Sequence, residues 1–297
     1  MKRIPYALVD VFAPAPGAGN RVAVALDARG MSPEEMQAVA QSLGAAEAAF
    51  LLERTGAALS VRFFAPGGEV EFSGHAAVAV GLTAARTGLV PEGTTRLYLH
   101  TPTEVLPVEL VLEAGEPRKA WVRGPAPRFR DLPPYRALRE VLEALGSDER
   151  YLHRGLPYGV AFTGLWSLFV PLIAPGVVDA LEPEMERLKA LCFRLDVATV
   201  HAYAPMGPRS FYARDFAPLL GIPEDPVTGS ANAALGALLA RAGVVPRREG
   251  KVLLTVYQGH HLGNPGVVEV QVEYSPTGEP YSVQIGGEAV IVQTGEV

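Results

Sequence analysis

The chain contains an internal repeat, and this repeat constrains its fold more strongly than any other feature of the sequence. A shift of 155 positions places Gly74–Gly81 on Gly229–Gly236, two alanine-rich runs that begin and end with glycine. Matching arginine and glycine residues follow each run, and a Phe-Ala-Pro triplet precedes each one. Since 297 residues correspond to two ordinary domains or one large one, we predict two structurally similar halves.

Each repeated run predicts a helix that is apolar on nearly all sides. A surface helix would carry a polar face, so these two helices must be enclosed by other parts of the chain. Short valine-rich runs bounded by Gly, Pro and Asp are typical of strands, and they outnumber the helical segments. The predicted strands are Ala7–Phe12, Val22–Leu26, Ala48–Leu52, Leu59–Phe64, Val108–Leu112, Val160–Thr163, Leu168–Leu172, Val252–Val256, Val267–Val272 and Ala289–Gln293; the other predicted helices are Ser32–Leu43, Tyr135–Leu145 and Pro183–Phe193. The pattern indicates an α+β fold in which each half is a curved sheet around one central helix.

Composition excludes several classes of function. Lysine and arginine number 26 against 32 aspartates and glutamates, a net charge of −6, so we expect no nucleic-acid partner. No stretch approaches the ~18 apolar residues of a membrane span, and the first residues lack the pattern of a signal peptide. The single cysteine, Cys192, excludes an internal disulfide and a multi-cysteine metal site, which is typical of a cytoplasmic protein.

The starts of the two repeated helices predict a binding site for an anion. The first turn of a helix carries unpaired backbone N–H groups and the positive end of the helix dipole. One helix starts at Ser73–His75 and the other at Thr228–Ser230, and the glycines Gly74 and Gly229 let a ligand approach the backbone closely. If an approximate twofold relates the halves, the two starts face each other across a cleft and hold a small carboxylate.

The polar residues at these starts are candidates for chemistry, and each has a structural alternative. Asp225–Ser230 is a compact acidic loop before the second helix, but Asp and Thr are also ordinary capping residues. His75 opens an apolar helix, where a histidine is more often a satisfied polar group than a catalyst. Its position at the predicted anion site favours a functional role.

Glu47 is the candidate for proton transfer. It lies in Gly44–Phe50, where every other residue is small or apolar. A carboxylic acid in apolar surroundings holds its proton more tightly, and such a group can take up and return a proton near neutral pH. The alternative is an exposed glutamate at a turn between a helix and a strand, and spacing alone favours that alternative.

Several motifs together carry a family resemblance. The motifs are Asp10-Val11-Phe12, Gly19-Asn20-x-Val22-Ala23-Val24, Glu47-Ala48-Ala49-Phe50, Phe63-Phe64-Ala65-Pro66, Gly74-His75-Ala76, Asp225-Pro226-Val227-Thr228-Gly229-Ser230-Ala231 and Gln258-Gly259. In this order, and over nearly the whole chain, the sequence resembles the phenazine-biosynthesis PhzF-like isomerases, relatives of the diaminopimelate epimerases and proline racemases.

The resemblance implies a diaminopimelate epimerase-like fold of two similar halves, each a β-barrel-like sheet around a central helix. A proline-rich stretch marks the crossing from one half to the other near residues 116–134. The first half is therefore expected at 1–115 plus about 282–297, because the family's last strands return to it, and the second at about 116–281. The active site is expected in the cleft between them.

The resemblance also implies roles for individual residues. Glu47 matches the family's general acid/base, which moves a proton between substrate carbons. Three residues match those around the bound substrate and join Glu47 as catalytic candidates: His75, Asp225 and Ser230. The substrate-binding candidates are Asn20, Ser73, Gly74, Thr228 and Gly229, of which the two glycines would present N–H groups to a carboxylate. Neither a metal nor an organic cofactor is expected.

Three positions depart from the patterns of the family and its relatives. Arg21 stands where many members have proline. The epimerase relatives use two cysteines as a pair of bases, at positions that match Ser73 and Thr228 here. Hydroxyl groups are far too weakly acidic to replace thiolates unaided, so proton shuttling by one base, Glu47, is favoured.

These observations predict a cofactor-independent isomerase that acts on a small carboxylic acid, cyclic or amino in type. Two alternatives stay open: a racemase or epimerase of a small amino acid, and a protein that binds a small acid without turnover. Most soluble oligomers are twofold dimers, so we also expect a homodimer.

Overall fold

The computed structural model describes residues 3–297, which form two compact units. One unit contains the chain up to Arg123 together with Gly286–Val297, and the other contains Gly124–Ile285. The boundary predicted from the sequence, which put residues 116–123 in the second half, differs from this division. That segment forms a strand hydrogen-bonded to the strand before it, so it stays with the first unit.

The first unit consists of a barrel of strands, a central helix and one outer helix. Its strands are β1 (Pro5–Val11), β2 (Asn20–Ala25), β3 (Glu47–Thr55), β4 (Ala58–Ala65), β5 (Gly68–Val70), β6 (Arg96–His100), β7 (Val105–Glu113) and β8 (Glu116–Arg123), and its helices are α1 (Pro33–Leu43) and α2 (Gly74–Arg86). The last strand of the chain, β17 (Pro280–Glu296), begins in the second unit and ends in the first.

Hydrogen bonding closes the barrel of the first unit. Strand β17 pairs with β1, and pairing then continues through β2, β3, β4, β6, β7 and β8 back to β17. Helix α2 packs against β1, β2, β3, β7 and β8, so the barrel encloses it. Ten of its residues are buried, as expected of a helix with no polar face.

The second unit repeats this plan. Its strands are β9 (Arg128–Arg130), β10 (Gly159–Phe162), β11 (Trp166–Pro171), β12 (Thr199–Gly207), β13 (Ser210–Ala217), β14 (Ile222–Asp225), β15 (Lys251–Gln258) and β16 (Gly266–Tyr274), and its helices are α3 (Tyr135–Ala144), α4 (Pro175–Asp179), α5 (Met185–Leu195) and α6 (Gly229–Arg241). Two short 3₁₀ turns lie at Glu149–Tyr151 and Pro218–Leu220. Helix α6 packs against β10, β11, β15 and β16.

The two units share their strand pairing as well as their central helices. In the first unit, β2 and β3 are parallel neighbours joined through helix α1. In the second, β11 and β12 are parallel neighbours joined through helices α4 and α5. In the first unit, β4 pairs in parallel with β6 near its start and antiparallel with β5 near its end. In the second unit, β13 pairs in the same way with β15 and then with β14. The prediction of an α+β fold with two similar halves, each a sheet around a central helix, is therefore confirmed.

The element predictions were correct where the pattern was strong. All ten predicted strands lie in or overlap observed strands, and the helix predicted at Ser32–Leu43 forms with Ser32 as its cap. The helix predicted at Pro183–Phe193 is α5, shifted by two residues. Seven of the strands that the structure describes were missed, namely β5, β6, β8, β9, β12, β13 and β14. Of these, β12 and β13 are long and mostly buried.

Candidate active site

Glu47 and His75 lie close together inside the first unit. Glu47 is the first residue of β3, and His75 is the second residue of α2. Glu47 Oε2 and His75 Nε2 are 3.7 Å apart, and their side chains are 20% and 13% exposed. Both atoms are buried and neither has a hydrogen-bond partner within the described residues. A carboxylate and an imidazole thus point at one another with unused hydrogen-bonding capacity.

Ser73 fixes the start of α2 beside this pair. Its Oγ accepts a hydrogen bond from the Ala76 N–H at 3.2 Å, which caps the helix. The same oxygen lies 3.4 Å from His75 Nδ1, so the hydroxyl also orients the imidazole ring. Gly74, which lies between Ser73 and His75 in the sequence, is the first residue of the helix and is buried. The structure therefore brings Glu47, Ser73, Gly74 and His75 together.

Asn20 is the buried first residue of β2, the strand that pairs in parallel with β3. The next residue, Arg21, donates two hydrogen bonds to the buried carboxylate of Asp10, at 2.7 and 3.1 Å. These hydrogen bonds raise the pKa of the Arg21 guanidinium above its ordinary value. Asp10 also accepts the Gly17 N–H at 2.7 Å, so the arginine at this position helps to fix the turn that leads into Asn20.

In the second unit, a hydrogen-bond network holds the start of α6. Asp225 ends β14, and its Oδ2 accepts the Thr228 hydroxyl at 2.7 Å. Gln258, at the end of β15, accepts the Thr228 N–H at 3.1 Å and donates to the Asp225 carbonyl at 2.9 Å. Thr228 is the residue before α6, yet its side chain does not cap the helix.

Gly229 and Ser230 form the first turn of α6. Gly229 is buried and Ser230 is partly exposed. The Ser230 carbonyl accepts a hydrogen bond from the Thr163 hydroxyl at 2.7 Å, which ties this turn to the end of β10. The second unit therefore brings Asp225, Thr228, Gly229 and Ser230 together in one turn.

Gln258 has a structural role that its place in a sequence motif did not indicate. The signal that could have found it is a polar residue at the buried end of a valine-rich strand, directly before a glycine. Gly259 has a φ of +85°, and an added Cβ would lie 2.7 Å from the Pro226 carbonyl oxygen. Glycine at this position lets β15 approach the loop closely enough for Gln258 to reach it.

Cys192 lies in α5 with no exposed surface, and burial raises the pKa of its thiol to about 12. Such a thiol stays protonated and cannot serve as a thiolate base. Within residues 3–297 there is no group of three or more His, Cys, Asp or Glu side chains that could hold a metal ion. In the same part of the chain, no helix combines the length and apolar character needed to span a membrane.

The sequence model of a family described as phenazine biosynthesis-like protein matches residues 9–295. An uncharacterized isomerase from Deinococcus radiodurans is 46% identical over 292 residues, which are 98% of this chain and 93% of that protein. The trans-2,3-dihydro-3-hydroxyanthranilate isomerase of Pseudomonas fluorescens is 31% identical over 294 residues, 98% of each chain. The chain belongs to this family of PhzF-like proteins. It is an isomerase, as the two relatives just described are.

Solved structures agree with this assignment. The PhzF-family protein of Bacillus anthracis has a TM-score of 0.89 and 29% identity, and the match covers 100% of this chain and 99% of that one. A hydroxyproline epimerase from Agrobacterium vitis has a TM-score of 0.67 at 12% identity and covers 99% and 92% of the two chains, which shows the shared fold alone. The diaminopimelate epimerase-like fold implied by the resemblance is thereby confirmed.

Proposed function

We propose that this isomerase moves a proton between two carbon atoms of a small carboxylic acid, with Glu47 as the general acid/base and without a cofactor. The observation that carries the proposal is the pair of buried atoms, Glu47 Oε2 and His75 Nε2, which are 3.7 Å apart and have no hydrogen-bond partner among residues 3–297. Buried polar atoms without partners are costly in a folded protein and are a frequent mark of functional sites.

The distance between the two atoms supports a role with substrate. At 3.7 Å the carboxylate and the imidazole are too far apart for a good hydrogen bond with each other. Either the carboxylate or the imidazole could instead contact a hydrogen atom of the substrate, on carbon or on oxygen. Glu47 would remove a proton from one carbon and return it to another, and His75 would hold a substrate oxygen or the carboxylate.

The second unit supplies residues suited to binding the acid. The residue before α6, Thr228, supplies no side-chain cap, so the first-turn N–H groups there can take an anionic oxygen. Ser230 adds a hydroxyl in the same turn, and the Asp225 carboxylate accepts a hydrogen bond from the Thr228 hydroxyl. We include Asp225 and Ser230 with Glu47 and His75 as the groups that act on the substrate, and Asn20, Ser73, Gly74, Thr228 and Gly229 as groups that bind it.

Proton exchange in deuterated buffer tests this function. The first acid to use is trans-2,3-dihydro-3-hydroxyanthranilate, which the name of the Pseudomonas relative gives as that enzyme's substrate, followed by small cyclic and amino acids. We expect deuterium at carbon in the product, with no loss of activity after dialysis against a chelator. Because general acid–base catalysis contributes about 10²–10⁴-fold, Glu47→Gln should slow exchange by at least about a hundredfold.

The matched control lies on the same strand. Glu53 is exposed on β3, and Glu53→Gln should leave exchange unchanged. The Glu47→Gln variant should still bind the acid, since its shape is kept and only the proton carrier is lost. Full exchange in that variant would refute the role of Glu47. Binding without exchange in the wild type would instead indicate a binding protein, and loss of optical activity would indicate a racemase.

A further inference from the structure

The two helix starts differ in one respect that the repeat does not predict. Ser73 and Thr228 occupy equivalent positions, each directly before its helix. The Ser73 hydroxyl caps its own helix by accepting the Ala76 N–H. The Thr228 hydroxyl instead donates to Asp225 Oδ2 at 2.7 Å and makes no bond to its helix. The threonine side chain is therefore turned away from the position in which it would compete with an anion.

Gln258, together with Asp225, holds the threonine in this orientation. Its Nε2 donates to Thr228 Oγ1 at 3.1 Å and to the Asp225 carbonyl oxygen at 2.9 Å. Its Oε1 accepts the Thr228 N–H at 3.1 Å and a hydrogen from Asn232 Nδ2 at 2.7 Å. Gln258 thus forms hydrogen bonds with both the N–H and the hydroxyl oxygen of Thr228.

The network is buried and rigid. Gln258 and Asn232 have no exposed surface, and Thr228 is 7% exposed. A buried amide with four hydrogen bonds has little freedom to rotate, because any other orientation leaves several polar groups without partners. The orientation of Thr228 is therefore fixed by strand β15, an element distant in sequence from the loop it holds.

We infer that Gln258 is a positioning residue: it holds the Thr228 hydroxyl away from α6 and so keeps the start of this helix open for the carboxylate of the substrate. This inference rests on the proposed function, since an open helix start matters to the reaction only if an anionic substrate binds there. Without Gln258, the Thr228 hydroxyl would keep only its bond to Asp225 Oδ2 and could turn to accept the Ala231 N–H, as the Ser73 hydroxyl accepts the Ala76 N–H in the first unit. A capped helix start would bind an anion less well.

Inorganic sulfate tests the inference without any turnover. The backbone amide signals of Gly229 and Ser230 are followed by NMR as sulfate is added to the wild type and to variants. Gln258→Met, which keeps the side-chain length but cannot hydrogen-bond as an amide, should weaken sulfate binding by about tenfold. Gln271→Met is the matched control, because Gln271 makes a single side-chain bond, to Gln284, and it should leave sulfate affinity unchanged.

A second substitution separates positioning from a purely structural role. If the hydroxyl competes with the anion once Gln258 is lost, Thr228→Val in the Gln258→Met background should recover most of the lost sulfate affinity. A structural role predicts no recovery, since the double variant has still fewer hydrogen bonds than the single one.

Turnover provides an independent readout. For an acid that the wild type isomerises, Gln258→Met should raise KM about tenfold with little change in kcat, because only anion binding is impaired. Unchanged sulfate affinity in Gln258→Met, no recovery on adding Thr228→Val, or no response of the wild-type amides to sulfate would each overturn the inference. Failure of the proposed function has a different signature: sulfate binds as expected, but no acid undergoes exchange.

Discussion

His201 and Asp215 form a fully buried polar pair in the second unit. Neither side chain has exposed surface, and His201 Nδ1 lies 2.9 Å from Asp215 Oδ1. The residues are directly opposite each other on β12 and β13, and the rings of Phe169 and His201 form a T-shaped contact with centroids 5.5 Å apart. Removing one partner leaves the other buried without its hydrogen bond, which costs more than replacing both with apolar residues.

A double-mutant cycle measures this effect. We expect His201→Leu and Asp215→Val each to lower the free energy of unfolding by about 3 kcal/mol, and the double variant to lose clearly less than the sum. Urea denaturation is the measurement. The exposed pair Arg96 and Glu109 is the control, where single substitutions should cost less than about 1 kcal/mol. Additive losses at His201 and Asp215 would contradict the argument.

The sequence predicted the position of a site residue best where that residue's contacts are with near neighbours along the chain. His75 lies two residues from Ser73, so its place at a helix start could be predicted from the local pattern. Glu47 required the resemblance, because spacing alone favoured an exposed glutamate, whereas its side chain is only 20% exposed. The contacts of Gln258 and of the His201–Asp215 pair depend on strands meeting across the sheet, and no local pattern carries that information.

At the scale of elements, Gly81 and Gly236 explain how a helix fits inside each sheet. They occupy equivalent positions in the repeat, in the middle of α2 and α6. A Cβ added to Gly81 would lie 2.7 Å from Val108 Cγ1, and one added to Gly236 would lie 2.5 Å from Val270 Cγ1. Valine has little rotamer freedom, so glycine sets the distance between helix and strand in both units.

Alanine at either position should therefore destabilise the protein, although alanine favours helices. We expect Gly81→Ala and Gly236→Ala each to lower the free energy of unfolding by about 1–3 kcal/mol, because the extra methyl forces the valine or the helix to move. Gly176→Ala is the control, since nothing lies within 4 Å of a Cβ at that helical position. Stability that is unchanged or increased at Gly81 or Gly236 would mean that the helix can shift without cost.

The fold was predictable at this scale because the repeat and the apolar helices leave few possible arrangements of the strands around them. Strands β12 and β13 were missed for a physical reason. Their residues are buried on both faces, so the alternation of apolar and polar residues that marks a half-exposed strand is absent. The boundary between the units was misplaced because prolines at 125–134 lie after β8, not before it.

At the scale of the whole molecule, exposed apolar side chains are concentrated in one unit. Among residues 3–297, five large apolar side chains are more than half exposed, and all five belong to the second unit: Leu132, Tyr135, Phe193, Met206 and Tyr281. Phe193, on the last turns of α5, is 79% exposed. Exposed apolar side chains of this size are enriched where a protein contacts a partner, and most soluble oligomers are twofold dimers of one chain.

We therefore predict a homodimer with twice the 31.5 kDa mass of the chain, formed through the second unit. Sedimentation equilibrium at micromolar concentration should give this mass for the wild type. Phe193→Glu should shift the equilibrium towards the monomer, because each twofold contact would bury two new charges without partners. Tyr98→Glu, at a 40% exposed position in the first unit, should leave the dimer intact. A wild-type monomer at that concentration would contradict the prediction, and the apolar side chains of the second unit would then face solvent.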